Sequence, residues 1–416
     1  MLPAPAPLAA PLLPAPPPRG RVAVFVVGRA YGPPMRLIHT SDWHLGRSFH
    51  GVDLLNAQVA FVDHLVDVVR SERVDAVLVS GDVYDRALPS ADSVAVCDDG
   101  LSRLAGTGAQ LIVISGNHDS ATRLGWGSRL LSRSGVHIRC DPSLAGSPVS
   151  LTDPHGEVAV YAVPYLEPHA VREVLQAPEP GGHAAVLRAA LARVRADMST
   201  HAGVRSVVLA HTFVVGGQGC ASERDIGVGG VASVPISLFD DFDYMALGHL
   251  HRQQSLSPAV RYSGSPLAFS FSEAGQVKGS WLIEIPREGP IQAQAVAAPV
   301  PRPLDSLRGT LDELLTSAAH CDVESHFLAF TLTDAARPID AMARLRTRFP
   351  HAVCLDFAPE GRVSVDDSYA VALRAKTDIE IAAAFVAHTR GTPATHDEVG
   401  LFADGFAAAR LAEVTS

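Results

Sequence analysis

The chain has 416 residues, 47% of them hydrophobic, which is enough for a large core and a second, smaller domain. A formal charge of −10 argues against a protein that coats nucleic acid by charge alone, but not against a nuclease whose metals meet the phosphate. Five scattered cysteines without a C-x-x-C pair argue against a zinc-thiolate site or a disulfide framework and fit a reducing cytoplasm, and no apolar run approaches the ~20 residues that span a bilayer.

Residues 1–34 are Pro-rich from Pro3 to Pro18, and Pro breaks the only candidate signal segment. Met35 reads as the start, with 1–34 a mis-assigned extension or a disordered tail. Residues 36–40 read as a buried strand, followed by Asp42 and His44, whose i, i+2 spacing in extended backbone points both side chains one way. Leu54–Arg70 has apolar residues at helical spacing. Val74–Val79 is a second strand, ending just before Gly81-Asp82. Ala91–Ala105 reads as a helix, and Gln110–Ile114 as a strand running into Asn117-His118-Asp119. Strands alternating with helices predict βαβ units and a largely parallel sheet.

Val136–Ile138 and Val158–Val163 read as short strands, and Ala184–Met198 as a helix. The strand Arg205–Ala210 ends at His211. A Gly-rich loop, 216–230, carries Ser222-Glu223-Arg224 and reads as a mobile rim. Asp243–Leu247 is another strand, followed by His249 and His251. Segments 280–285 and 291–297 read as a hairpin. A Pro-rich linker, 299–303, marks a domain boundary at 298/299. Beyond it a small α/β unit (299–370) contains the strand Phe327–Leu332, the helix Pro338–Phe349 and the strand Val353–Phe357. Two helices, Ile379–Thr389 and Glu398–Glu413, close the chain in a segment taken as 371–416.

Taken singly, each polar cluster has a bland explanation. Gly-Asp after a strand is often a turn with an Asx bond, Asn and Asp cap helices, and a lone histidine is usually a hydrogen-bonded core residue. Together they are specific. Five apolar runs in order are each followed at once by Asp, Asn or His, and ligands gather beyond the carboxyl ends of parallel strands. The set of three oxygen donors (Asp42, Asp82, Asn117) and four imidazoles (His44, His211, His249, His251) lacks sulfur, which suits Mn, Fe or Zn better than Ca. Two metals ~3.5–4 Å apart that share Asp82 could clamp the attacking and leaving oxygens of a phosphoryl ester. His118 could reach the leaving oxygen as general acid or hold transition-state charge, and Asp119 could orient it.

The order D-x-H, G-D-x-x-D, G-N-H-D, H, G-H-x-H resembles the calcineurin-like metallophosphoesterase superfamily. Ser41-Asp42-Trp43-His44-Leu45-Gly46, Gly81-Asp82-Val83-Tyr84-Asp85, Gly116-Asn117-His118-Asp119-Ser120, Tyr244-Met245-Ala246-Leu247-Gly248-His249-Leu250-His251, Ser222-Glu223-Arg224 and Ser263-Gly264-Ser265-Pro266 narrow it to the SbcD family of nuclease subunits of bacterial SbcCD complexes. The resemblance runs from about Met35 to the C-terminus and is strongest before residue 285. Tyr84 departs from it, an aromatic of the Phe type being usual there.

The resemblance implies an α/β metallophosphoesterase core (35–298) of β-sheets flanked by helices, with a small α/β cap and C-terminal helices that dock a partner. It implies that Asp42, His44, Asp82 and His251 hold one metal and Asp82, Asn117, His211 and His249 the other, usually manganese (Mn2+), with His118 catalytic. It implies 3′→5′ exonuclease action on duplex DNA ends and endonuclease action on single strands and hairpins. It also implies an SbcC-type coiled-coil ATPase partner gating access, and an SbcD dimer within a heterotetramer. Arg47, Arg86 and Arg123 lie near the motifs and could meet DNA phosphates, or could be solvated surface residues. Two rivals remain: a metallophosphatase or phosphodiesterase acting on small phosphoesters, and a non-catalytic scaffold for an ATPase. Against the first, Asp119 stands where such phosphatases usually carry Glu; against the second, the ligand set is complete.

Overall fold

A parallel strand buried on both faces reads as an unbroken apolar run, and this chain contains two sets of them. The computed structural model describes residues 32–179, 181–201, 203–223, 233–359 and 376–414. Residues 1–31 and part of the Gly-rich loop, including Arg224, lie outside the described residues. In chain order the first unit contains β1 (Met35–Thr40), α1 (Leu55–Ser71), β2 (Ala76–Ser80), α2 (Ala91–Ala105), β3 (Gln110–Ile114), β4 (Val136–Arg139), β5 (Val149–Asp153), β6 (Gly156–Val163), α3 (Pro168–Leu175) and α4 (His183–Met198). It continues with β7 (Arg205–His211), β8 (Tyr244–Gly248), β9 (Gln254–Ser255), β10 (Val260–Tyr262), β11 (Gly279–Ile285) and β12 (Gln292–Ala297).

These strands form two six-stranded sheets, in keeping with the expected core of β-sheets flanked by helices, although the strand–helix alternation alone speaks of a single largely parallel sheet. The first has the order β12-β11-β1-β2-β3-β4 and the second β9-β10-β8-β7-β6-β5. In the first, β1 through β4 are parallel, and the hairpin β11–β12 adds antiparallel strands beside β1. In the second, β6, β7, β8 and β10 are parallel, with β5 and β9 antiparallel at the edges. Periodicity marks which residues are buried but does not divide them between sheets, so a second sheet is invisible to it.

The period of two along each strand builds a layered core. Leu37, Leu78, Ile112 and Ile114 of the first sheet meet Val158, Val160, Val207, Leu209 and Ala246 of the second. Ile38, Val77, Val79 and Val113 face the other way, onto Phe61, Val62, Leu65 and Val66 of α1 and Leu104 of α2. Tyr161, Val163, Val208 and Met245 pack on Val186, Leu187 and Leu191 of α4. The layers are therefore helices, sheet, sheet, helices. At about 25 cal/mol per Å² of apolar surface removed from water, these three clusters supply the main driving force of folding.

One polar residue sits inside the inter-sheet layer. His39 is fully buried, with Nδ1 2.9 Å from the Tyr244 hydroxyl and Nε2 3.1 Å from the Leu247 carbonyl. Burial pushes it down to about 3, so it is neutral and fully satisfied. Being next to a ligand motif does not make it part of the site.

The second compact unit comprises Leu307–Cys321 and the chain from Phe330 onward, while Asp322–Ala329 belongs to the first. A three-stranded sheet has the order β13 (Leu304–Gly309), β14 (Phe327–Leu332), β15 (Ala352–Phe357). The strand β13 and the helix α5 (Leu311–Thr316) escape the sequence reading, because six-residue elements barely establish a period. The capping box of Thr310 and Glu313 was the available signal for α5. The helix α6 (Ala341–Arg348) follows, with α7 (Asp378–Arg390) and α8 (His396–Val414) packed on each other. No helix among the described residues is long and apolar enough to cross a membrane.

Candidate metal centre

The expected ligands leave both sheets at one end, in loops that hold each other. Asp42 N–H donates to the Gly81 carbonyl at 3.0 Å, His44 N–H to the Asp82 carbonyl at 3.0 Å and Leu45 N–H to the Val83 carbonyl at 2.9 Å. These bonds continue the β1–β2 pairing past the strand ends. The backbone there is not extended, which corrects the sequence expectation for D-x-H. Asp42, His44 and Asp82 have φ of 54°, 46° and 51°, and His249 has φ of 103°. Left-handed backbone is unfavourable outside Gly, less so for Asp, Asn and His, and such residues concentrate at functional sites. Here the loop pairing holds them in place.

Gln58, buried on α1, supports the same loop. Its Nε2 donates to the His44 carbonyl at 2.7 Å and its Oε1 accepts from Gly46 N–H at 2.9 Å. Between the two sheets, His249 N–H is 3.1 Å from each oxygen of Asp42; within the first sheet's loops, His118 N–H donates to Asp82 Oδ1 at 2.8 Å.

The chain is crowded here, and two glycines make room, Gly116 between loops of the first sheet and Gly248 where the second sheet meets the first. A Cβ at Gly116 would stand 2.1 Å from Asp82 Oδ1, and one at Gly248 2.0 Å from the Ser80 carbonyl oxygen. Gly248→Ala is therefore expected to push β8 off β2 and cost about 1–3 kcal/mol, the range for overpacking. Urea unfolding of the variant measures this, and unchanged stability would show that the seam yields freely.

All seven expected ligands converge. Asp42, His44 and His251 form one group whose donor atoms lie within 4.8 Å of one another, and Asp42, Asp82 and His211 form another. His44 Nε2 and His251 Nε2 are 3.1 Å apart, and His44 Nε2 is 3.7 Å from Asp82 Oδ2. On the other side, His211 Nε2 is 2.9 Å from Asn117 Oδ1 and 3.5 Å from Asp82 Oδ2, and His249 Nδ1 is 3.3 Å from Asn117 Oδ1. Asp82 reaches both groups.

The donor chemistry fits a divalent cation. Asp42, Asp82 and His44 are at most 1% exposed, and such carboxylates need positive charge beside them. Burial pushes Asp42 up to about 7. Burial also acts to raise Asp82, but the neighbouring His211 imidazole holds it well below the usual carboxylate range. Burial acts to lower His211, while Asp82 pushes it up to about 9. Asp82 and His211 thus form a charge pair between the two groups. Burial holds His44 and His251 well down and pushes His249 to about 3, leaving neutral imidazoles, the form that binds metals.

His118 lies at the mouth, 9% exposed, its ring 4.7 Å from that of His44. Its Nδ1 is 2.8 Å from the Asp85 carbonyl. The expectation that Asp119 orients it is corrected. Both Asp119 oxygens are taken up by backbone, accepting from Gly116 N–H at 2.9 Å, Val83 N–H at 3.1 Å and Tyr84 N–H at 2.9 Å. Asp119 ties the Gly81-Asp82 loop to the Gly116-Asn117 loop, while the His118 ring nitrogen Nδ1 pairs with the Asp85 carbonyl.

Of the three arginines, Arg47 is not an open phosphate contact. Its guanidinium lies over the Phe269 ring at 4.7 Å, Nη2 donates to the Ser222 carbonyl at 2.7 Å, and Nη1 is 3.6 Å from Asp85 Oδ1. Arg86 is largely exposed, 3.5 Å from Asp85 Oδ2, and Arg123 is exposed with Nη1 3.5 Å from the Ala87 carbonyl. The sequence reading missed a role for Asp85, whose carboxylate groups with His44 and His118 within 4.8 Å. The second Asp of G-D-x-x-D was the signal. It also missed Gln58, Glu273 and Lys278, which lie far from any motif. Ser222 and Glu223, read as part of a mobile rim, instead reach His251: Ser222 Oγ is 2.6 Å from its Nδ1, and Glu223 Oε1 accepts its N–H at 2.7 Å.

Comparison with known proteins agrees with this geometry. The calcineurin-like phosphoesterase family (Metallophos) matches residues 35–253, just over half the chain. The SbcD_C family (type 5 capsule protein repressor C-terminal domain) matches residues 300–390. Among solved structures, GAP50, the anchor in the inner membrane complex of Plasmodium, is 12% identical over 79% of this chain and 98% of its own, with a TM-score of 0.41. TT1561 of Thermus thermophilus is 14% identical over 63% of this chain and 99% of its own, with a TM-score of 0.37. The calcineurin-like phosphoesterase YfkN from Bacillus subtilis is 13% identical over 64% of this chain and 91% of its own, with a TM-score of 0.36. At these scores the individual likenesses carry no argument.

Proposed function

Because the chain belongs to the calcineurin-like phosphoesterase family and is a metal-dependent hydrolase by that membership, we propose that it is the DNA nuclease subunit of an SbcCD-type complex. The observation that carries the reading is the convergence of seven Asp, Asn and His donors around Asp82, in a chain whose next segment matches SbcD_C. Residues 35–298 would be the nuclease domain, 299–370 the cap, and 371–416 the helices that dock a coiled-coil ATPase. Two such chains would act in a heterotetramer.

Asp42, His44, Asp82 and His251 would hold one ion and Asp82, Asn117, His211 and His249 the other, with Mn2+ the proposed metal. Bound there, two divalent ions supply Lewis acidity to the phosphoryl oxygens and lower the pKa of a water. The protein's own groups do the rest. The Asp85 carbonyl accepts from His118 Nδ1, so Nε2 is the atom left to act at the mouth. From Nε2, His118 would donate a proton to the leaving oxygen or bond a phosphoryl oxygen as charge develops. Asp82 Oδ1, by accepting the His118 N–H, keeps that ring in register with the ligands. Arg86 and Arg123, exposed beside the 85–87 segment, would position the DNA backbone without reading sequence.

The test is digestion of end-labelled hairpin and linear duplex DNA in Mn2+, with EDTA controls, with and without the ATPase partner and ATP. Metal-dependent cutting is expected, stimulated by the partner with ATP. Hydrolysis of p-nitrophenyl phosphate with no action on DNA would replace this reading by that of a small-phosphoester enzyme.

A further inference from the structure

A histidine ligand almost always donates its other ring N–H to a fixed partner, which sets the tautomer and the ring angle. The two metal positions of the proposed centre obtain that partner from different parts of the fold. On one side, His211 Nδ1 is 2.8 Å from the Ser80 carbonyl, the backbone end of a buried strand. On the other, His251 Nδ1 is 2.6 Å from the hydroxyl of Ser222, in the Gly-rich loop.

The direction of that bond follows from what lies behind it. Ser222 Oγ is also 2.6 Å from Glu273 Oε1. Glu273 is 1% exposed, and its other oxygen takes the ammonium of Lys278, itself 3% exposed. A carboxylate beside an ammonium can only accept, so the single Ser222 proton goes to Glu273. The hydroxyl oxygen is then the acceptor for His251 Nδ1–H. That leaves the Nε2 lone pair facing His44 Nε2, 3.1 Å away.

Further contacts clamp the assembly. Lys278 Nζ donates to the His251 carbonyl at 2.8 Å and to Ser265 Oγ at 3.2 Å. Glu223 accepts the backbone N–H groups of His251 and Cys220, both at 2.7 Å. Arg47 holds the Ser222 carbonyl while its guanidinium covers Phe269, whose ring stands edge-on to His44 and His251 at 5.3 and 5.5 Å. An isolated buried Lys–Glu pair is costly and weak evidence of stabilisation. A pair that orients a ligand through a hydroxyl has a use for that cost.

We propose that Ser222 and Glu273, held by Lys278, are positioning residues for His251, and that they set the affinity of the Asp42/His44/His251 metal position without affecting the His211/His249 position. The inference rests on the metal-centre reading above. It makes Ser222 a determinant of how firmly one of two ions is held.

The experiment is a Mn2+ titration of the full chain by calorimetry and by electron paramagnetic resonance of the free ion, for the parent, Ser222→Ala and Ser222→Thr. In Ser222→Ala one binding event is expected to weaken about 10–100-fold, the range for lost outer partners of metal ligands. The other event stays at its parental affinity, and Ser222→Thr, which keeps the hydroxyl, restores the first. Parental affinity at both positions in Ser222→Ala overturns the inference, as does equal weakening of both or a Thr variant as weak as Ala. A parent chain that takes up no Mn2+ overturns the metal-centre reading, and this inference with it.

Discussion

Replacing Asp82 by Asn is expected to lower phosphodiester hydrolysis by roughly 10⁴-fold or more, the scale on which losing one member of a cooperating catalytic unit acts. The variant should also bind fewer than two ions per chain. Asp82 Oδ2 lies 3.7 Å from His44 Nε2 and 3.5 Å from His211 Nε2, so its carboxylate is within reach of both proposed positions. Asn keeps the size and an oxygen for the His118 N–H, which otherwise loses its 2.8 Å acceptor. It removes the negative charge that two cations would share. Elemental analysis of bound Mn2+ after dialysis, run beside the hydrolysis assay, measures both effects. Full loading with parental rates would show that Asp82 is not the shared ligand.

His118→Ala is expected to separate chemistry from binding. The rate should fall by about 10²–10⁴-fold, the usual contribution of a positioned proton donor, while both ions stay bound. The backbone supports this split, because the bond that matters to the loop is made by His118 N–H and survives the substitution. The side chain's own partner, the Asp85 carbonyl, belongs to a segment that meets solvent. One outcome would reverse the assignment. His44, Asp85 and His118 also have donor atoms within 4.8 Å of one another, so loss of an ion in His118→Ala would make His118 a ligand.

The residues that converge were legible because each follows directly on an apolar run, and strand ends are where parallel sheets present their loops. The helices α1 and α2 and the strand β3 fall close to their expected bounds for the same reason: strong periods and clear starts, with Ser90 capping α2 through Ser93 N–H. What the pattern lacked was partition. Leu78 and Leu209 are equally apolar, and nothing local says that one belongs to each sheet. Backbone handedness was equally hidden. D-x-H fits an extended exit, but pairing with the Gly81-Asp82 loop turns Asp42 and His44 left-handed. Asp119 was misjudged because adjacency to His118 suggested a partner, while three backbone N–H groups claim its oxygens. Glu273 and Lys278 carry no motif at all; only the folded chain brings them behind His251.

The seam between the sheets has a consequence for the order in which the protein is made. Asp42, His44, Asp82 and Asn117 belong to the first sheet's loops, and His211, His249 and His251 to the second's. Asp42 leaves the ribosome 207 residues ahead of His249, its partner across the seam. At about 5–20 residues per second, that is an interval of roughly ten to forty seconds. During it the nascent chain carries its buried-to-be carboxylates without the full set of imidazoles that surrounds them in the fold. In the proposed centre, full metal loading would thus be a late event in the life of each chain, following closure of the second sheet over the first.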